Sequence, residues 1–450
     1  MANKNSTTRD IIIDSITIVN SMGRVETITD KFNLLVIYED IEAPVITGSI
    51  QIIDNIDLYS QLELHGQEYI YISFHRPNDT ENSRFKRSFR IYKAGERKPS
   101  KSQGQEYVLY FCSEEWVFSN QQTISRAFTG RTINNYVYAI CSSDLKINRS
   151  KLDLLNNFDI SLGIQDIVVP RMHPLEAIQF LSQYAFDDTE STFLFFENRT
   201  GFNFISLATL FNREPLVTLN YSNAKLTEGE QTAAFKNANQ ISNFKFNKSF
   251  DIMKTTQNLT YSGRLYTLDL LRQKYEKYDY TAGKMDKSNF LDGGNLPINN
   301  APNRNEKPLL TQYDSSVNFF ITNKDLTNTA RALSKAFRSN NTNVERTLLQ
   351  RQSQLNMLKN VSIEAIVPGN AMFSVGFIIN FDLPAFARNG SSERVLDPYH
   401  SGKYLITNVK HVITPSGGHQ TILGLSKNSL ASSLDFVTGT RTEYKKVRGL

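Results

Sequence analysis

Apolar residues recur at every second position along the N-terminal part of the chain: Ile16 and Ile18; Phe32, Leu34, Val36 and Tyr38; Ile50 and Ile52; Ile70, Ile72 and Phe74. Successive side chains of a strand point to opposite faces, so this alternation predicts strands with one buried face. Breaks fall at Ser21-Met22-Gly23, Ala43-Pro44, His65-Gly66 and Arg76-Pro77-Asn78-Asp79, and further strands are expected over 85–93 and 106–112. Strands punctuated this regularly predict a β-barrel or sandwich. Residues 1–112 are read as a first β domain.

The period changes after Cys112. Ile133, Tyr136, Val137, Ile140 and Cys141 recur at helical spacing behind Gly130, one face of a helix. A second helix is announced by Val169-Pro170 and His173-Pro174, with Pro174 in the first turn and Leu175, Ile178, Leu181 and Tyr184 or Ala185 on one face. The runs Phe193-Leu194-Phe195-Phe196-Glu197 and Gly201-Phe202-Asn203-Phe204-Ile205 flank a polar turn, a hairpin signal. Residues 113–236 are therefore expected to form a mixed α+β domain.

Strand-type sequence returns at Gln240, Phe244 and Phe246 and over 263–271, then fades into 284–305, a loop rich in Asn, Gly and Pro. Residues 328–359 predict two helices broken at Ser339-Asn340-Asn341. Leu333, Ala336 and Phe337 line the first; Thr342 and Glu345 offer a capping box for the second, which carries Val344, Leu348, Leu355 and Leu358. Strands resume over 361–366, 377–381, 404–413 and 420–425. A second β domain is thus expected from 237–282 and 358–435, interrupted by a loop and helical insertion over 283–357, with a basic tail at 436–450. There is no short tandem repeat. The fold class this gives is β-rich α+β, two β domains flanking a mixed one.

Length agrees, since a single core rarely grows past ~250–300 residues and the chain has 450. With 40% hydrophobic and 21% charged residues the chain can build ordinary cores, which excludes wholesale disorder. The formal net charge of +5 is uneven. Arg441, Lys445, Lys446 and Arg448 face only Glu443 in the tail, and Arg84, Lys86, Arg87, Arg90, Lys93, Arg97, Lys98 and Lys101 face only Glu96 in the other run. Such runs suit an acidic partner or phosphate; the plainer readings are a solvated hairpin and a mobile tail. Arg84, Lys86, Arg87, Arg90, Arg441, Lys445, Lys446 and Arg448 are the candidate partner-interface residues.

Cys112 and Cys141 have no spacing that supports a disulfide framework or a zinc site, which fits synthesis in a reducing compartment. The polar N-terminus lacks a secretion signal, and no window approaches the ~18–20 apolar residues of a membrane span. A soluble protein made in a cytoplasm is expected.

Catalytic patterns are missing. There is no Gly-x-Ser-x-Gly elbow, no phosphate-binding Gly-rich loop and no His-Glu-x-x-His. His411 and His419 flank the turn Pro415-Ser416-Gly417-Gly418 and could face each other, but a metal would need a third ligand such as His400. A pair facing solvent or a subunit contact is the plainer expectation. His173 with Glu176 reads as a helix cap, and Asp187-Asp188 and Glu114-Glu115 read as solvated turn charge. No enzymatic activity, cofactor or metal is expected.

Three stretches together resemble the central hub proteins of contractile phage baseplates, related in fold to the hub half of the type VI secretion spike protein. The first is the Phe193–Asn198 and Gly201–Phe204 hairpin, similar to the one closing that family's middle domain. The second is Val367-Pro368-Gly369-Asn370-Ala371-Met372-Phe373-Ser374-Val375-Gly376, a turn leading into a strand of the second barrel. The third, Ser401–Ile406 with Val409-Lys410-His411 and Thr421-Ile422-Leu423-Gly424-Leu425, resembles that barrel's final hairpin. Ile37-Tyr38-Glu39-Asp40-Ile41 with Thr47-Gly48-Ser49-Ile50 fits the first barrel. The resemblance runs from Ile11 to Ser433, leaving the 284–305 loop and the tail unmatched.

The resemblance implies two β-barrel-like tube domains per chain and a homotrimer whose six modules make a ring. That ring would adapt a trimeric tail spike to the sixfold tail tube or tube-initiator proteins, with baseplate wedge proteins as further neighbours. DNA would pass through without specific binding, and the location would be the virion tail baseplate. Two alternatives stand beside it: a receptor- or glycan-binding tail protein, for which the 20 tyrosines suit sugar stacking, and a hub with cell-wall hydrolase activity.

Overall fold

The computed structural model describes residues 11–77, 84–100, 104–148, 151–152, 157–189, 191–221, 239–270, 273–292, 295–296, 317–322, 338–339, 344–384, 396–416 and 418–432. The first β module consists of β1 (Ile12–Val19), β2 (Val25–Thr27), β3 (Phe32–Asp40), β4 (Thr47–Asp54), β5 (Tyr69–His75), β6 (Phe85–Ser100) and β7 (Gly104–Cys112). Its strand order is β3-β4-β7-β6-β5-β1-β2, antiparallel throughout. The alternating residues Ile16, Ile18, Ile50, Ile52, Ile70, Ile72 and Phe74 enter one core, as their period requires.

One phase differs from the sequence expectation. The β3–β4 register shifts between Phe32 and Leu34, and beyond the shift Leu35 and Ile37 enter the core while Tyr38 stands 40% exposed. A bulge inserts one residue, and one residue is enough to swap the faces of a period-two strand.

The middle region holds β8 (Ile124–Arg131), β9 (Ile164–Met172) and the hairpin of β10 (Phe193–Asn198) and β11 (Gly201–Ser206), with helices Glu114–Gln121, Ile133–Ala139 and Pro174–Ser182. Ile133, Tyr136, Val137, Ile140 and Cys141 pack on Leu175, Ile178 and Leu181, the two predicted faces meeting. His173 occupies the N-cap with Pro174 at the helix start; its backbone N–H donates to Glu176 and its Nδ1 lies 2.9 Å from the Gln122 carbonyl. It caps and packs.

Every residue of β10 and β11 is buried. Phe193, Phe195, Phe202 and Phe204 enter the middle core, while Leu194, Phe196 and Ile205 enter the core of the second β module. The hairpin is apolar on both faces because each is covered.

That second module follows in pieces: β12 (Pro215–Tyr221), β13 (Gln240–Ile241) and β14 (Asn243–Lys248), then, after the insertion, β19 (Val361–Pro368), β20 (Ile378–Asp382), β21 (Gly402–Ile413) and β22 (His419–Lys427). Its order is β14-β19-β22-β21-β20-β12-β13. Between the pieces, β15 (Ser262–Asp269), β16 (Lys274–Thr281) and β17 (Val317–Thr322) form a separate sheet, and β18 (Arg338–Ser339) joins β8 and β9. The capping-box helix forms over Val344–Leu358. Thr342 and the helix expected through Leu333, Ala336 and Phe337 lie outside the described residues.

Part of the 284–305 stretch, read as a loop, is docked. Leu291 N–H donates to Asn428 at 3.2 Å, Asp292 N–H to Ser429 at 2.9 Å, and Lys427 Nζ, fully buried, reaches Asp292 at 3.4 Å. Residues 293–294 and 297–305 lie outside the described residues.

The two modules share one sheet. β3 pairs antiparallel with β21, from Asp40 opposite Asn408 to Leu35 opposite Ile413, giving a continuous sheet of 14 strands among the described residues.

Candidate assembly surfaces

The modules repeat one another in strand connectivity. β3, β4, β7, β6 and β5 pair in that order in the first module, and β14, β19, β22, β21 and β20 pair in that order in the second. One irregularity corresponds: β6 shifts register against β7 between Ile91 and Lys93, and β21 shifts against β22 between Ile406 and Asn408, while a second shift of β6, between Gly95 and Lys98, has no counterpart in β21. In both modules the shift follows directly on the segment paired with the preceding strand, Phe85–Arg90 on β5 and Gly402–Leu405 on β20.

The solvent-facing side of the joint sheet mixes uncharged polar groups with charges of both signs, among them Lys86, Lys93, Glu106, Glu364 and Lys410. Thr47, Ser49 and Gln51 of β4, Tyr110 of β7, Tyr38 of β3 and Asn408 of β21 alternate with buried neighbours. Two lysines on this side lie over aromatic rings, Lys93 over Tyr110 at 5.0 Å and Lys410 over Tyr38 at 5.4 Å.

The basic candidates divide. Lys86 is exposed, Arg84 and Arg90 are half-buried, and the Arg90 guanidinium sits 4.2 Å from the Tyr69 ring centroid. Arg87 turns inward: its side chain is 10% exposed, pairs with Glu197 at 3.4 Å and donates to the carbonyls of Asn198 and Arg199. The signal was in the run itself, because Arg87 shares its phase with Phe85, Phe89 and Ile91, all buried. Farther along β6, Arg97 stacks on Tyr59 at 4.4 Å and Lys98 pairs with Glu106 at 3.4 Å, both exposed. Arg441, Lys445, Lys446 and Arg448 lie outside the described residues.

Glu197 belongs to a buried polar junction between the two β modules and the middle region. It accepts from the Ile46 N–H at 3.0 Å and from the Ser113 hydroxyl. Burial pushes its carboxyl up, against the pull of the Arg87 guanidinium. Glu39 of β3 accepts from the Ser374 hydroxyl and from the Val375 N–H at 3.0 Å, tying the first module to the second. Burial pushes Glu39 up to about 7. Asn198 donates to the Val375 carbonyl at 3.2 Å, closing the junction from the hairpin side.

Two expectations are corrected here. Glu115 is not a solvated turn charge: it lies in the first turn of helix Glu114–Gln121, 5% exposed, with Lys151 Nζ at 2.7 Å. Its neighbour Glu114 accepts from the Tyr69 hydroxyl. His411 and His419 do face each other, Nδ1 to Nε2 at 3.2 Å, but they are 1% and 3% exposed rather than turned to solvent. Both lie against Phe74, because β21 is covered by the first module. Burial depresses His411 to about 4 and His419 well below its ordinary value. His400 instead pairs with Asp397 at 3.1 Å. Among the described residues no group of three or more His, Cys, Asp or Glu side chains is placed to hold a metal ion. Burial raises both thiols, Cys112 to about 12 beside Glu197 and Glu115.

No protein-family model and no curated protein matches this chain. Among solved structures, the tail protein from Neisseria meningitidis MC58 aligns with 92% of this chain and 96% of its own, with a TM-score of 0.50 at 12% identity. The 43 kDa tail protein of prophage MuSo2 from Shewanella oneidensis aligns with 92% of this chain and 98% of its own, at a TM-score of 0.49 and 9% identity. An E. coli component of the type VI secretion system, described as similar to T4 bacteriophage tail proteins, aligns with 96% of this chain and 80% of its own, at a TM-score of 0.37 and 9% identity. At such identities the first of these likenesses concerns architecture alone, and it establishes that this chain has the fold of the Neisseria tail protein.

Proposed function

We propose that this chain is the central hub of a contractile-tail baseplate, a non-enzymatic structural protein. The observation that carries the reading is the pair of β modules with matching strand order, joined edge to edge in one curled sheet. The shared fold with a tail protein supports it.

Each module acts as one tube segment, and three copies supply six segments to a ring. A sheet that ends in open edges must be covered or paired, and a head-to-tail contact between copies closes a ring when its rotation permits. Such a ring seats a sixfold tube above and a trimeric spike below. DNA passes through the ring without specific binding, since a lumen crowded with unpaired cations would hold a passing duplex by its phosphates. The domain division is part of this proposal: tube modules at 1–112 and at 237–282 with 358–435, the middle domain at 113–236, the insertion at 283–357, and a basic tail at 436–450 that docks on an acidic surface of spike or tube.

Electron microscopy of the purified chain, alone and with its spike, tests the reading. An annulus with a central opening wide enough for a duplex is expected; single compact particles in both samples would overturn it. A second reading, glycan binding, is favoured by one feature, the stack of Tyr275 on Tyr266 at 5.2 Å, with Tyr275 58% exposed. Saturable, selective binding on a glycan array would support that role instead.

A further inference from the structure

The seam inside the chain is a template for a seam between chains. Within one copy, β3 lies along the far half of β21, beyond the part of β21 that pairs with β20. In strand order β6 corresponds to β21, and its near half pairs with β5 in the same way. Its far half, from Lys93 to Pro99, pairs with β7 on one side, with a shift between Gly95 and Lys98, and with no strand on the other among the described residues. β14 corresponds to β3, and it too has a single partner, β19, among the described residues. The structure therefore contains a counterpart of β3 and, over Lys93 to Gly95, a counterpart of the receiving edge of β21, at two places where they are not joined.

We propose that β14 of one copy lies antiparallel along the far half of β6 in a second copy, repeating between chains the contact that β3 and β21 make within one. The proposal rests on the ring reading and names the surfaces that close it. Register follows by transfer. Phe246 stands opposite Ile363 as Ile37 stands opposite Gly48, and the shift between Phe246 and Lys248 then puts Lys248 in the place of Tyr38. Tyr38, Glu39 and Asp40 face Lys410, Val409 and Asn408. Lys248, Ser249 and Phe250 accordingly face Gly95, Ala94 and Lys93 of the second copy.

Several otherwise unexplained features meet at this seam. β6 is 16 residues long, and its distal part projects exposed side chains. Phe250 and Met253, just past β14, are 74% and 73% exposed, and a second copy laid on β14 would cover apolar surface there. The contact is heterologous, with different surfaces on each partner, so it propagates from copy to copy until the curvature of the sheet closes it. Lysines occur on both sides, Lys245 and Lys248 against Lys93 and Lys98, so added salt should tighten the association.

Paired cysteines test this in the full-length chain. Tyr38→Cys with Lys410→Cys, directly opposite on the internal seam, is the control and should form a disulfide within one chain. Gly95→Cys with Lys248→Cys is the test and should give, on mild oxidation, covalent dimers and a closed higher species on a non-reducing gel. Neither single variant should give them; the native Cys112 and Cys141 are buried. Light scattering reports assembly independently. Assembly without interchain links in the test pair would overturn the seam and leave the ring standing. An internal link in the control, with neither assembly nor interchain links, would overturn both.

Discussion

Arg87 and Glu197 meet at 3.4 Å across the boundary between the first β module and the middle hairpin, with side chains 10% and 1% exposed. Each is held further by groups from both sides: Arg87 by the hairpin carbonyls, Glu197 by Ile46 and Ser113. Removing one partner strands the other charge in a dry site. Arg87→Ala or Glu197→Ala should therefore lower stability by about 3–5 kcal/mol, whereas replacing both with well-fitting apolar residues should cost much less. Chemical denaturation of the singles and the double measures the cycle, and additive losses would contradict the pairing.

Glu39 makes the junction pH-dependent. Its Oε1 is buried with no hydrogen-bond partner, and its carboxyl rises from 4.5 to about 7. A raised acid favours the folded state when protonated, so its contribution is complete below the unfolded value and is lost as pH rises through the folded one. Stability from this group should fall by about 3 kcal/mol across that window. Glu39→Gln should remove that slope and leave a variant more stable than the parent above neutral pH. Urea midpoints at a series of pH values provide the check; equal slopes for parent and variant would rule the assignment out.

The histidine pair works in the opposite direction. His411 is depressed from 6.5 to about 4, so its contribution is present above the unfolded value and is lost as pH falls through the folded one. His411→Gln should make the acid limb shallower by about 3 kcal/mol, even if it costs some packing at neutral pH. Carried together, the Glu39 and His411 substitutions should flatten the profile from both sides, which acid and alkaline denaturation series on the double variant would show.

The sequence made the local periods plain, including the doubly apolar hairpin of β10 and β11 and the proline-started helix at Pro174. It hid what depends on partners distant in the chain. β3 reads in the wrong phase because a bulge leaves no mark in composition, and Glu115 looks like surface charge until Lys151 is brought beside it. Arg87 was legible, lying in phase with Phe85 and Phe89, but a count of charges conceals phase. The correspondence of the two modules, which the family resemblance implies, was not legible in the residues themselves: Gly48 and Ile363 occupy equivalent positions with unrelated side chains, because only the hydrogen-bonding order is repeated.

Gly369 brings a turn of the second module against the ring of His419. Its N–H donates to the His419 carbonyl at 2.8 Å, its carbonyl accepts from Arg76 of the first module, and a Cβ there would lie 2.0 Å from the His419 ring. The ring cannot retreat, because it is 3% exposed and lies 5.5 Å, centroid to centroid, from Phe74. Gly369→Ala should therefore destabilise the chain by about 1–3 kcal/mol through overpacking. Truncating the obstacle supplies the control: in a His419→Ala background the same alanine has room, and its cost should shrink to a few tenths of a kcal/mol. If the glycine were needed for backbone freedom instead, the penalty would persist in both backgrounds. Its φ lies outside the left-handed region, so the steric account predicts rescue, measured as the difference in denaturation midpoint between the two backgrounds.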